Sequence, residues 1–312
     1  MALAAGCAGA ERPSLDRAGP AASALDGAGP AGSAPAAPSP PTSAAPSPAS
    51  TALPAPPEAA RNPVDLAEDL VAAETAVRDA ATPPDELAEA AEVQQLAYRR
   101  LGRHPEWDPA VLARVPDELR AAVEANVHAR REFASMHTRP VSTMPAWRIV
   151  EPAPADDLLA WYAEGERTYG VPWFYLAAVN LVETGLGRIR GTSVAGAQGP
   201  MQFMPATWAA FGEGDVNDPH DAILAAARYL AHNGAPADMP NALWNYNHSW
   251  PYVRGVSDLA GVMRDDPRAF HGYYHWQVYL STVAGDVLLP VGYDEPQPVP
   301  VGDWLRRELG GG

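Results

Sequence analysis

Pro172-Trp173-Phe174-Tyr175-Leu176-Ala177-Ala178-Val179-Asn180-Leu181-Val182-Glu183-Thr184 is apolar almost all round, interrupted only near its end by Asn180 and Glu183. A helix with no polar face belongs in the middle of a domain rather than on its surface. Pro172 suits the first turn, where no backbone donor is required. Gly185 and Gly187 supply the stop. Few alternating Val/Ile/Tyr runs occur elsewhere, so sheet content should be small and the fold class mostly α. Glu183 closes this helix. Burial and the negative end of the helix dipole both disfavour a carboxylate, which raises its pKa toward that of a general acid working near neutral pH. The competing reading is a glutamate at a helix end in solvent.

Outward from the helix come two segments with a different chemistry. Ser193-Val194-Ala195-Gly196-Ala197-Gln198-Gly199-Pro200-Met201-Gln202-Phe203-Met204 holds glycines, a proline and apolar contacts in one loop, and Pro205 can start the helix after it. Glycine permits close backbone approach to a ligand, and the Gln202 amide offers both donor and acceptor, as an acetamido sugar requires. Asn241-Ala242-Leu243-Trp244-Asn245-Tyr246-Asn247-His248-Ser249-Trp250 mixes polar and aromatic side chains. Tyrosine and tryptophan faces stack on sugar rings while their polar edges bond hydroxyls. Of Trp208, Trp244, Trp250 and Trp276, most are expected in the core and one or two along a groove.

Glu183-Thr184, Gly199-Pro200-Met201-Gln202 and Tyr246-Asn247 resemble, in order and spacing, the three signature blocks of soluble lytic transglycosylases. Ser193 and Met204 match a serine and an acetamide-pocket methionine of that family. The resemblance covers about residues 155–285. It implies a lysozyme-like all-helical catalytic domain that cuts the MurNAc–GlcNAc bond of peptidoglycan without water, with Glu183 as acid and then base. It implies that Tyr246 hydrogen-bonds Glu183, that Ser193, Gln202, Met204 and Asn247 position substrate, and that no metal or organic cofactor takes part. Thr184 stands where serine is usual, Pro200 replaces leucine and Asn245 replaces alanine. Where the family often has a further glutamate, this chain has Gln277, which leaves the positioning of Glu183 open. Two other functions stay open: a hydrolytic muramidase, and a non-catalytic peptidoglycan-binding lipoprotein.

A hydrolase of the lysozyme type needs a second carboxylate. Glu213-Gly214-Asp215-Val216-Asn217-Asp218-Pro219-His220-Asp221 is rich in oxygens but too short for a twelve-residue EF-hand loop. Asp218 and Asp221 read as caps for a helix through Leu230. His271 and His275 lie four apart, and without further ligands they do not make a zinc site.

Farther out, the sequence divides into five stretches: 1–7, 8–62, 63–150, 151–294 and a tail, 295–312. Leu66, Leu70, Ala73 and Val77 repeat at helical spacing after Asp65 in a capping position. Pro84 restarts a helix that stops near Gly102, and Pro116 precedes a third with Leu119, Val123 and Val127 on one stripe. These helices carry no evident chemistry and read as a helical extension, so residues from about 150 to 294 are expected to fold and cut glycan alone. Residues 8–62 are almost entirely Ala, Pro, Ser, Gly and Thr, too poor in large apolar side chains to form a core, and read as a disordered tether. As extended polyproline II it would reach on the order of 150 Å. Leu3-Ala4-Ala5-Gly6-Cys7 resembles a bacterial lipobox, which places a lipid on Cys7 and the protein on the outer face of the cytoplasmic membrane. The only link to membrane is then that lipid. A formal net charge of −16 repels nucleic acid and anionic lipid heads, and the family resemblance implies the peptidoglycan glycan strand as partner.

Overall fold

The computed structural model describes residues 62–137 and 139–310. Cys7 and the proline-rich stretch up to residue 61 lie outside them. The side-chain oxygen of Asn62 accepts from the backbone N–H groups of Val64 and Asp65 and starts α1 (Pro63–Arg78). The cap is therefore three residues earlier than Asp65, which lies in the first turn. Pro84 opens α2 (Pro84–Arg103), which continues through Gly102. A single 3-10 turn (Pro105–Trp107) and α3 (Asp108–Leu112) lead into α4 (Asp117–Met136). Two short strands follow, β1 (Thr143–Met144) and β2 (Arg148–Ile149).

Next come α5 (Ala155–Tyr169) and α6 (Trp173–Thr184), the helix that is apolar all round. Every residue of α6 from Leu176 to Thr184 is buried, because α5, α10 (Trp250–Asp265) and α8 (Pro219–His232) pack around it. Between these lie β3 (Ile189–Arg190), α7 (Pro205–Phe211) and α9 (Met239–Tyr246). The chain closes with α11 (Ala269–His275), a hairpin of β4 (Val278–Thr282) and β5 (Gly285–Leu289), then β6 (Val299–Pro300) and α12 (Val301–Gly310). Strands pair antiparallel as β1–β6, β2–β3 and β4–β5. The fold is mostly α, as the apolar periodicity requires.

The helices before residue 137 share their core with the segment after 151. α4 runs along α10, and one hydrophobic cluster extends from Leu66 and Leu70 through Val123 and Phe133 to Leu176, Val256 and Phe270. Buried polar bonds cross the same junction. Trp276 Nε1 donates to Gln94 Oε1 at 3.0 Å, and Tyr273 donates to Asn126 at 2.7 Å. The Gln95 amide accepts from the backbone N–H of Gln277 at 2.9 Å and donates to its carbonyl at 2.8 Å. Gln277, where the family pattern has glutamate, is thus a main-chain anchor for α2. A smaller second core gathers Met144, Trp147, Ile149, Ile189, Leu280, Leu289, Tyr293 and Trp304. Residues 295–310, read as a tail, supply a strand and a helix to it.

Candidate active site

Glu183 lies one residue before the end of α6, 7 % exposed. Burial pushes its carboxyl up to about 7, and the Tyr252 hydroxyl, donating to Oε1 at 2.7 Å, opposes that rise. The sign of each follows from what it does to charge: burial removes water from the carboxylate, and the donor stabilises it. Among the described residues, no second carboxylate figures in the groups that shift it. A side chain half protonated near neutral pH can both give and take a proton.

The partner of Glu183 is Tyr252, where the family resemblance pointed to Tyr246. Tyr252 is fully buried on the first turn of α10, in a stripe with Val253, Val256, Leu259 and Met263. A tyrosine on such a stripe needs a buried acceptor for its hydroxyl, and that was the available signal. Tyr246 instead donates to the Met201 carbonyl at 2.7 Å, its ring parallel to that of Tyr252 with centroids 6.5 Å apart. Burial and the charge of Glu183 both raise the Tyr246 pKa well above the ordinary phenol range, which keeps it a neutral donor.

The Gly199–Gln202 loop is held against α6 by its own carbonyls. Asn180 Nδ2 and Thr184 Oγ1 both donate to the Pro200 carbonyl, at 2.9 and 2.6 Å. Asn180 is itself fixed by Tyr162, whose hydroxyl donates to Oδ1 at 2.7 Å, and Thr184 Oγ1 accepts from the Gly187 N–H at 3.0 Å. Tyr246 holds the next carbonyl. The loop geometry requires glycine at 199, where φ is +72° and a Cβ would lie 1.9 Å from the Val216 carbonyl oxygen. Thr184, a departure from serine, keeps the hydroxyl this clamp uses. Tyr162 and Asn180 were not read as site residues from sequence, although Asn180 stands out as a neutral polar residue within an apolar helix.

Gln202 adopts φ of +51°, a left-handed conformation that favours glycine, at a cost on the order of 1 kcal/mol. Its Nε2 donates back to the Gly199 carbonyl at 2.9 Å, and its Oε1 is buried with no partner among the described residues. A buried, unsatisfied acceptor calls for a donor from outside the chain. Ser193 is engaged in its own turn, its Oγ accepting from Ala197 N–H at 3.0 Å. Asn247 caps α9, with its N–H on the Leu243 carbonyl at 3.1 Å. Met204 and Trp250 keep large apolar surfaces in solvent, at 44 % and 54 % exposed. Trp276, in contrast, is core.

In the acidic loop, Asp218 caps α8 by accepting from Asp221 N–H at 3.1 Å, and Asp221 accepts from Asp215 N–H at 2.9 Å. Glu213 pairs with Arg228 at 3.0 Å. These carboxylates serve turns and caps. Asp218, His220 and Asp221 lie close enough to share an ion, but their bonds already account for the grouping.

Residues 161–250 match the Transglycosylase SLT domain family. Over 145 residues, 44 % of this chain, the sequence is 27 % identical to membrane-bound lytic murein transglycosylase F of Thiobacillus denitrificans. The chain covers 31 % of that curated relative's length. No solved structure matches. Glu183, the clamped Gly199–Gln202 loop and Tyr246 all fall inside the matched stretch, where the chain carries a transglycosylase SLT domain.

Proposed function

We propose that the protein is a peptidoglycan lytic transglycosylase in which Glu183 acts first as acid and then as base. The observation that carries this reading is the buried carboxyl of Glu183, raised to about 7 in an SLT domain and accepting from the Tyr252 hydroxyl. As an acid it protonates the glycosidic oxygen between MurNAc and GlcNAc, and the C1–O bond breaks as the 2-acetamido oxygen assists at C1. As a carboxylate it then takes the proton of the C6 hydroxyl, whose oxygen displaces the acetamido oxygen from C1 and closes a 1,6-anhydro ring. The proton given is recovered, no water is consumed, and Glu183 returns to its starting form.

Gln202 Oε1 is placed in this reading as acceptor for the acetamido N–H, which supplies the missing donor. Met204 offers apolar contact to the acetamido methyl, Trp250 a stacking face for a sugar ring, and Ser193 and Asn247 further polar contacts. The setting for such a reaction is the cell wall. Mass spectrometry of muropeptides released from purified peptidoglycan tests the reaction. Anhydro ends, one water lighter than hydrolysed ends, are expected. Reducing ends instead would make the protein a muramidase, and no release at all would make it a binding protein.

A further inference from the structure

Among the described residues only two that are not glycine adopt a left-handed backbone, Leu186 at φ +63° and Gln202 at φ +51°. They lie on two segments that meet at the Pro200 carbonyl. Leu186 belongs to the turn that ends α6, where the Gly187 N–H is held by Thr184 Oγ1 and an added Cβ on Gly187 would lie 3.5 Å from Pro200 Cβ. Gln202 lies two residues beyond Pro200. Such conformations persist where surrounding bonds over-determine them, and they gather at functional sites.

The direction of each bond in this clamp is fixed by elimination. A carbonyl oxygen only accepts, so Pro200 must face the Asn180 NH₂ group and the Thr184 O–H. The Asn180 amide therefore turns Oδ1 toward Tyr162, whose hydroxyl, at 2.7 Å, must be the donor. Asn180 is 1 % exposed and Tyr162 fully buried. Without the Tyr162 hydroxyl, Asn180 Oδ1 becomes a buried acceptor lacking a donor, and turning the amide over sets that oxygen against the Pro200 carbonyl. Either result loosens the carbonyl two residues before Gln202. The packing of α5 on α6 does not require this polar pair: Gly165 already admits Leu176 so closely that a Cβ there would lie 2.7 Å from Leu176 Cδ1. Burying polar groups between helices is costly unless every bond is made.

We propose that Tyr162 and Asn180 are positioning residues that hold Gln202 Oε1 in place for the acetamido N–H of the substrate. This rests on the reading of Gln202 as the acetamido acceptor. When the acetamido oxygen bonds to C1 and the glycosidic oxygen leaves with the proton from Glu183, positive charge spreads onto the acetamido nitrogen. Its N–H becomes a stronger donor at that moment, so an acceptor already fixed in place acts on kcat more than on KM.

The test is a double-mutant cycle on the full chain, with soluble glycan strands from purified peptidoglycan as substrate and folding checked by circular dichroism. Tyr162→Phe should lower kcat about 10–100-fold, the scale of a misplacement near 1 Å, with little change in KM. In a Gln202→Ala background, itself slow, the same substitution should change kcat by less than about twofold, because the effect runs through Gln202. Asn180→Ala leaves Pro200 its Thr184 donor and should repeat both results, which keeps the test open if Tyr162→Phe does not fold. Wild-type kcat in the folded single variants, or a loss repeated in full on Gln202→Ala, overturns the proposal and makes the pair a structural bond. Full kcat in Gln202→Ala alone overturns it differently, by removing the acceptor reading of Gln202 as well.

Discussion

Replacing Tyr252 with phenylalanine removes one oxygen and nothing else from the surroundings of Glu183. That hydroxyl donates at 2.7 Å, and it is the influence that opposes burial in setting the Glu183 pKa. A hydrogen bond to a charged group is worth about 1.5–3 kcal/mol. The protonated acid also accepts such a bond, more weakly, so roughly half of that distinguishes the two protonation states. At 1.36 kcal/mol per unit, the pKa should rise by about one unit, from about 7 to about 8. In the free enzyme Glu183 must be protonated to attack the glycosidic bond, so kcat/KM falls as pH rises through this pKa. The assay is a pH profile of kcat/KM on purified peptidoglycan for wild type and Tyr252→Phe, with the fold checked by circular dichroism. The alkaline limb of the variant should move upward by about one unit, whatever the change in its maximum. A limb that stays in place, or moves to lower pH, would refute the claim that Tyr252 tunes Glu183.

Four further outcomes follow from the same geometry. Glu183 titrates higher in the folded chain than at its ordinary value of 4.5, so the folded state holds the proton more tightly and stability falls as pH rises between about 4.5 and 7. Glu183→Gln should therefore be more stable than wild type by about 3 kcal/mol at pH 8, with the gap closing toward pH 4.5, as urea unfolding at the two pH values will read. Gly199→Ala places a Cβ 1.9 Å from the Val216 carbonyl and should displace the loop, costing most of the lytic activity while circular dichroism stays nearly unchanged. Thr184→Val keeps the shape but removes the hydroxyl that serves both Pro200 and Gly187, and should cost about 1–3 kcal/mol in a denaturant titration. A fragment of residues 151–294 uncovers the face of α10 that packs on α4, so it should fail to give a cooperative unfolding transition, whereas residues 62–310 should give one.

Much of this was legible in the residues because the signals are local. An apolar helix between Pro172 and Gly185 has one consistent solution, and the charge at its end follows from it. The helices starting at Pro63, Pro84 and Asp117 were readable from apolar spacing and the prolines near their starts, and the roles of Asp218 and Asp221 from their place before and within the first turn of α8. What escaped depends on tertiary partners. Periodicity shows that Tyr252 is on a buried face but not that its hydroxyl meets Glu183 across 69 residues of chain. It shows a stripe on α4 but not that the stripe is closed by α10. The β4–β5 hairpin has an alternating pattern around Ala284-Gly285, too short to stand out beside so many helices. The terminal helix α12 owes its place to Trp304 in the second core, a contact that spacing alone does not reveal.

The central claim is that one carboxyl group carries both proton transfers, and Glu183→Gln tests it most directly. Glutamine preserves size and can still accept from Tyr252, but it neither gives nor takes a proton. General acid–base catalysis by a single group contributes about 10²–10⁴-fold, and using it in both half-reactions places the loss at or above the upper end. Release of soluble muropeptides should fall at least 10⁴-fold, while the variant remains folded and still sediments with purified peptidoglycan. Substantial release by a folded Glu183→Gln would contradict the account and remove Glu183 from the chemistry.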